Sequence, residues 1–505
     1  MPLLDLPLEI LDLIIDHAPP TGFESFVLSC RTIYGRAGSQ IQQHNAMKRE
    51  WAHTTNASPT CRSDTLGLLY QISCDPHITY YIRSLSLWDH RIEEDISEDP
   101  DEYDFRGDEE AMDGIKTLLS SSEFLGDNNV EEWWELIKEK DFERSYDDSL
   151  ETIDNLYAVV ALLSLLPNLR TLQLPDSWHE VRSNENAASL VPVIESLVSL
   201  SNSPGLGLKP LAELETIMPF VEEGYDIKVG LQCLQPFMTL KSLRNLYAVS
   251  CVAVDDDWAG IPFHWPNPEI KSPLTRIELV SCCMDANALA ILLAQTPALT
   301  IFRYSHQTKW DGLEHDWNPG EFLETIARYC SDQLLELAIT IDELHGEVIN
   351  GLSSFMRFPN LRKLEVDVEA FCGPPLESGQ RLGRNATIPH GAKPWEYVDI
   401  PCMGDMLPKG IRELHVNTDF PAPSEQALRA LFKNIKVRRL DKLFDLEKVV
   451  IRQYRASTAQ DVADDHGIVL DVFEEGVANP RPRSMMPEWK RDFDRTVGGI
   501  VSADP

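Results

Sequence analysis

Imidazole and carboxylate groups come close enough to suggest a metal site at one place in this 505-residue chain, where His306 and His315 stand beside Asp311 and Asp316. Nothing in the pattern fixes a ligand geometry there, so the expectation is no metal. Cys282 and Cys283 are adjacent, which is poor ligand spacing and reads as burial beside a strand over 274–279. There is no GxxxxGK[ST] phosphate loop, GxSxG elbow or HExxH pair, and Gly205-Leu-Gly207 is too short for a dinucleotide fingerprint. The residue types therefore point to a chain without a catalytic apparatus or cofactor.

Tryptophan beside carboxylate does recur. Seven of the eleven tryptophans, Trp88, Trp178, Trp258, Trp265, Trp310, Trp317 and Trp395, fall in irregular polar stretches, as in Asp255-Asp256-Asp257-Trp258. Tryptophan is costly to expose in water and is favoured at interfaces. For any single one, folding back to plug the edge of a core is the better account. Together, on one rim, they would suit a basic, partly apolar protein segment. The balance of 45 basic against 81 acidic residues, a net charge of −36, excludes nucleic acid and anionic membrane surfaces as natural partners.

The elements that must position these residues form a degenerate repeat. Apolar residues at positions 1, 4 and 6 recur in units starting at Ile82, Leu169, Leu211, Leu243, Leu274, Leu299, Leu334, Leu361, Ile411 and Leu446. Successive starts from 243 to 361 lie 31, 25, 35 and 27 residues apart, and several units follow an apolar helix-like run and a proline. Period-2 alternation after a 3.6-period run reads as helix, turn, strand. No single unit can bury its apolar face, so the units stack. The expected fold is α/β, a solenoid with parallel strands on its concave face, helices on its convex face and long insertions projecting from one rim. It would cover 81–476, with an acidic insertion over 88–150 and a long loop over 367–406. Residues 93–113, with twelve acids and one arginine, read as a solvated loop. Residues 51–80 read as a linker or first capping helix. Residues 477–505 read as a polar tail that Trp489 and Phe493 could pin back.

The first fifty residues are different. Between Leu3 and Ile15 nine of thirteen residues are Leu or Ile. With Pro7 as the first helical residue, Ile10, Leu11, Ile14 and Ile15 form one stripe, and Leu8 and Leu13 widen the apolar arc to nearly two thirds of the circumference. A helix resting on one core needs only somewhat over ~100°. The excess implies two burial surfaces. Further amphipathic runs over 23–34 and 40–51 complete a three-helix module over 3–50, too small to be very stable alone.

The pattern Leu6-Pro7-x-Glu9-Ile10-Leu11-x-x-Ile14-Ile15, followed by Phe26-Val27-Leu28-Ser29-Cys30-Arg31-x-x-Tyr34, resembles an F-box. It departs from that family's usual pattern in its Pro-Pro-Thr-Gly connection and in Tyr34, where Trp is frequent. The repeats that follow resemble irregular leucine-rich repeats. The F-box resemblance implies docking to the Skp-type adaptor of a cullin-RING ubiquitin ligase through Leu6, Pro7, Ile10, Leu11 and Ile14, with Leu28 and Cys30 contacting or supporting. It also implies a cullin scaffold as a further partner and a protein substrate held on the solenoid. The alternatives are a scaffold whose first helices merely cap the repeats, and an enzyme whose site lies unrecognised in the insertions. No apolar run approaches the ~18 residues of a membrane span, the opening stretch lacks the basic region of a secretory signal, and ten cysteines form no CxxC pair. The expected location is intracellular, in cytoplasm or nucleus.

Overall fold

A computed structural model of the chain describes residues 3–18, 20–57, 65–91, 107–126, 130–138, 143–146, 149–152, 155–181, 190–205, 207–256, 258–313, 316–346, 348, 354–368, 400–418, 425–454, 459–473 and 487–501. The chain divides into two compact units, Met1–Ile217 with Leu240–Ser242, and Met218–Thr239 with Leu243–Pro505.

The first unit begins with four short helices, α1 (Leu8–Asp16), α2 (Phe23–Leu28), α3 (Arg31–Arg36) and α4 (Gly38–Trp51). Leu11, Ile15, Phe23, Val27, Ile33 and Ala37 close a small core among them. The sequence reads 23–34 as one helix. It divides because Cys30 turns extended (φ −157°, ψ 157°) and its Sγ accepts the Ile33 N–H, so that a new helix starts. Next come β1 (His53–Thr55) and β2 (Ser84–Ser86), then β3 (His90–Arg91), β4 (Glu143–Tyr146) and β5 (Ser149–Thr152), which make a separate antiparallel sheet in the order β3-β5-β4. Strands β6 (Thr171–Gln173) and β7 (Thr216–Ile217) complete a parallel sheet ordered β1-β2-β6-β7.

The second unit carries β8 (Val229–Gly230), β9 (Asn245–Val249), β10 (Cys251–Ala253), β11 (Arg276–Met284), β12 (Ile301–Gln307), β13 (Glu336–Glu343), β14 (Lys363–Asp367), β15 (Glu413–Asn417), β16 (Lys448–Tyr454) and β17 (Val469–Phe473). Its sheet runs β9-β11-β12-β13-β14-β15-β16-β17, parallel throughout, with β8 and β10 branching beside the far half of β11. Ser250 and Ser281, both at φ 52°, take the chain through the left-handed region where the branch departs.

The repeat explains this architecture. Its fourth positions pair in one row, Leu246 with Ile277, Phe302, Leu337, Leu364, Leu414 and Val449, and its sixth positions make the next. Both rows face the helices, where Phe322 of helix Pro319–Cys330 meets Phe302 and Tyr304. The carbonyl at position 2 accepts two N–H groups from the next unit, as Thr275 does from Thr300 and Ile301, and Arg362 from Arg412 and Glu413. The unit starting at Leu211 is out of frame. Leu172 pairs with Ile217, so its first position is Leu214, and Leu211 is buried separately at φ 57°. Strands β1 and β17 escape the pattern because Thr54 replaces the fourth-position leucine in one and Asp465 occupies the first position in the other.

The stretch 93–113 is not wholly a loop. Helix Glu109–Ser120 begins inside it, capped by the Asp108 side chain, and buries Ile115, Leu118 and Leu119; residues 93–106 lie outside the described residues. Two carboxylates in its first turn complement the helix N-terminus. Most of the 367–406 insertion, 369–399, also lies outside them. Residues Glu488–Val501 form a helix on the second unit's sheet. Among the described residues no helix is long and apolar enough to cross a membrane.

Leu364 is fully buried in the fourth-position row, whereas neighbouring Leu335 is exposed. Leu364→Ala is expected to cost about 2–5 kcal/mol in urea unfolding, and Leu335→Ala within about 0.5 kcal/mol of zero.

Candidate functional site

In the helical module, α1 serves two surfaces. Leu11, 1% exposed, and Ile15 point into the module's own core, while Ile10 and Leu13 remain 43% and 52% exposed and Ile14 is half-buried. The acidic side of α1 is tied down. Asp12 accepts two hydrogen bonds from the Arg36 guanidinium, one at 2.6 Å, which holds its carboxyl below the ordinary range, and Asp16 accepts from Gln40. On α2, Glu24 receives Lys48 at 2.7 Å. With its polar side spent on α3 and α4, α1 presents an apolar side to solvent. Pro7 is exposed and Leu6 half-exposed, while Leu28 on α2 is 71% exposed. Ile14 also lines a groove of about 380 Å³ with His17, Ala18, Phe23 and Phe26. Among the candidate contact residues, Leu11 is buried by Phe23, Val27 and Ile33 and so stands in the module's core instead of at its surface, and half-buried Cys30 caps α3.

The tryptophans separate into two kinds. Trp258 is 88% exposed on a tight turn in which its N–H donates to the Asp256 carboxylate. Gly260 closes that turn where a Cβ would fall 2.5 Å from the Asp256 backbone. Trp310 is exposed and meets Tyr225 edge-on at 5.9 Å; Trp88 is exposed, and Trp265 is half-buried near Phe263. Trp178 and Trp317, in contrast, are buried and offer nothing to a partner. Trp317 stacks on His306 at 4.4 Å and packs against Phe322. Trp395 lies outside the described residues, as does His315. His306 is turned inward, bonded through Nδ1 to the Tyr304 hydroxyl at 2.9 Å. Among the described residues no group of three or more His, Cys, Asp or Glu is placed to hold a metal ion. Cys282 and Cys283 are buried in β11.

The sequence reading missed the face of the second unit's sheet that points away from the helices. Its outward row reads Tyr247, Glu278, Arg303, Ala338, Glu365 and His415, and beside it stand Thr340, Asp367, Asn417 and Arg452. Helix Glu488–Val501 lies on it. Trp489 and Phe493 pack among Tyr247, Val249, Val280 and Ala338, and the Trp489 indole N–H donates to Thr340 Oγ1 at 3.2 Å. The N–H groups of Glu488 and Trp489 donate to the Glu365 carboxylate at 2.7 and 3.1 Å, the anion position that a helix N-terminus favours. Arg452 bridges Glu365, Asp471 and Glu488. Lys490 Nζ reaches Glu223 at 2.9 Å and Asp342 at 3.2 Å. Burial pulls its pKa down, but the two carboxylates outweigh burial and raise it. The signal for this helix was the Trp489–Phe493 spacing of one turn within a polar segment.

The class defined by fold is α/β, parallel strands alternating with helices. No family model matches the chain, and no curated protein does.

Asp367 accepts the Ile341 N–H at 2.6 Å and the Asn417 amide at 2.9 Å, yet burial pushes its pKa up to about 8, with the Glu365 and Asp342 carboxylates adding to the rise. The folded chain therefore holds a proton that the unfolded chain releases near its ordinary pKa of 3.8. The associated stability is complete below that value and is lost as pH rises through about 8. Asp367→Asn, which mimics the protonated form, is expected to reduce the fall in melting temperature between pH 5 and pH 8, measured by circular dichroism against the parent chain.

Proposed function

We propose that the chain is the substrate-recognition adaptor of an SCF-type cullin-RING ubiquitin ligase, an F-box module followed by irregular leucine-rich repeats. The module would dock the Skp-type adaptor, and the sheet-bearing units would hold a protein substrate. One observation carries the docking half. The module's core is closed by Leu11, Ile15, Phe23 and Val27 without help from Ile10, Leu13 or Leu28, which stay in water. Apolar side chains left out of a small, marginally stable core, beside a groove, are what a partner-completed module presents. A module serving only as a cap would turn that arc onto its own repeats.

The substrate-holding half is supported by the alternation of strands and helices, which fixes side chains in rows along a rigid surface. Affinity and orientation would be this chain's contribution, and ubiquitin transfer that of other subunits.

The test compares the double variant Ile10→Asp with Leu28→Asp against Leu11→Asp, using a purified Skp-type adaptor in a titration. The double variant is expected to melt as the parent chain does and to lose adaptor affinity by about 100-fold or more. Leu11→Asp places a charge in the core and is expected to unfold the module. Adaptor binding that survives the double variant, or is absent in the parent chain, overturns the docking reading.

A further inference from the structure

The helix Glu488–Val501 covers the second unit's outward sheet face through contacts that are apolar only in part. A helix that belongs to a core buries an apolar stripe on an apolar face. Among the described side chains the apolar stripe is Trp489, Phe493 and Val497 against Met218, Tyr247, Val249, Val280 and Ala338. Ion pairs flank it. Lys490 sits between Glu223 and Asp342, Asp492 lies 3.8 Å from Arg303 and 3.6 Å from Lys363, and Glu365 receives the helix N-terminus. Buried ion pairs roughly break even against desolvation, so they set register more than affinity.

The cover is also an imperfect fit. Glu278 Oε2, His415 Nδ1 and Asn417 Oδ1 are buried on this same face and have no hydrogen-bond partner. Each such atom has given up water without a replacement bond. A ligand offering further polar groups would gain what this helix forgoes. Thirteen residues, 474–486, lie between β17 and Pro487 in the sequence.

We propose that this face is the receptor for a helical segment of a partner protein, presenting an aromatic residue, a lysine directly after it and a second aromatic one turn further on. Residues 488–501 hold the face in cis and are displaced by that segment. The Trp489-Lys490-x-x-Phe493 arrangement is the protein's own cast of the ligand. Glu223 and Asp342, with Ser281 and Ser305 hydrogen-bonded to Asp342, form the lysine seat. Met218, Tyr247, Val249, Val280 and Ala338 seat the aromatics. This deepens the substrate-holding half of the proposed function and is independent of adaptor docking.

The test uses the full chain with a protease recognition sequence inserted between Asn479 and Pro480, folded before cutting. The probe is a labelled peptide of residues 487–501, followed by fluorescence anisotropy. The cut protein is expected to exchange its tail for the peptide, and the uncut protein to bind it at least about tenfold more weakly, since the tethered tail competes at high effective concentration. Lys490→Glu and Trp489→Ala peptides are expected to bind about 100-fold more weakly. A neutral Ala/Gln helix keeping only the Trp, Lys and Phe is expected to compete, because the pattern would then be transferable to another protein. A cut tail that neither leaves nor exchanges overturns the proposal. So does binding indifferent to the two substitutions, failure of the Ala/Gln helix, or tail exchange that produces dimers and makes a second copy the occupant. Adaptor titration of the same cut protein keeps the two readings apart, since lost docking with intact peptide exchange counts against docking alone.

Discussion

A parallel strand cannot pair with its own neighbour in sequence without a long crossover, and its backbone is satisfied only by the units before and after it. In both units that dependence is concentrated on one carbonyl per repeat. Ala52, Arg83 and Arg170 in the first unit, and Arg244, Thr275, Thr300, Leu335, Arg362 and Arg412 in the second, each accept two N–H groups from the following repeat. This pins β2, β6 and β7 in the first unit and β11 to β16 in the second at the same residue of each repeat. Since side chains alternate with period 2, a slip by one residue would exchange the faces throughout. The pinned register sends Leu246, Ile277, Phe302, Leu337 and Leu364 to the helices, and sends Tyr247, Glu278, Arg303, Ala338 and Glu365 to the other side. The face beneath the C-terminal helix depends on that shared register.

The same separation of faces operates in the helical module at smaller scale. An arc of apolar residues too wide for one core is divided by Asp12 and Asp16, which anchor α1 to Arg36 of α3 and Gln40 of α4 and so fix its rotation. Leu11 and Ile15 are thereby committed inward and Ile10 and Leu13 outward. The ion pair with Arg36 is exposed and contributes little to stability; its consequence is orientation. Composition along the helix could not reveal which half of the arc would be internal, because Ile10, Leu11 and Ile14 are alike in kind and differ only in angle.

Legibility in the sequence followed how local each determinant is. Nine of the ten repeat units fall on strands in frame, because the first, fourth and sixth apolar positions are read within six residues. The tenth failed where two leucines three apart, Leu211 and Leu214, are both buried and only pairing with Leu172 distinguishes them. For the tryptophans the missing information was partly local. Trp317 precedes Asn318, whose side chain caps helix Pro319–Cys330, and it packs on Phe322 four positions into that helix, the staple that fixes a chain's entry angle. Trp-Asn-Pro-Gly-Glu-Phe was enough to mark it as internal. Trp178 carries no such signal. The outward sheet face was not legible because its partners, Glu223, Asp342, Glu365, Arg452 and Lys490, are brought together over more than 260 residues, as in the Lys490–Glu223 contact.

That long-range assembly bears on the meaning of the acidic charge. A net −36 spread evenly would only keep the chain soluble and self-repelling. Buried on the outward face, carboxylates do something else. Glu278 and Asp367 both have raised pKa values, each chiefly through burial, so this surface resists further ionisation and rewards any cation brought to it. Cations stand among them: Arg303 between Glu278, Glu336 and Asp492, Arg452 between Glu365, Asp471 and Glu488, and Lys490 between Glu223 and Asp342, with Arg276 on Glu278 and Lys363 on Asp492. Arg303 and Arg452 answer carboxylates from sheet and helix at once, and Lys490 carries a cation of the helix to Glu223 and Asp342, so the pairs fix one register of helix on sheet more than they add affinity.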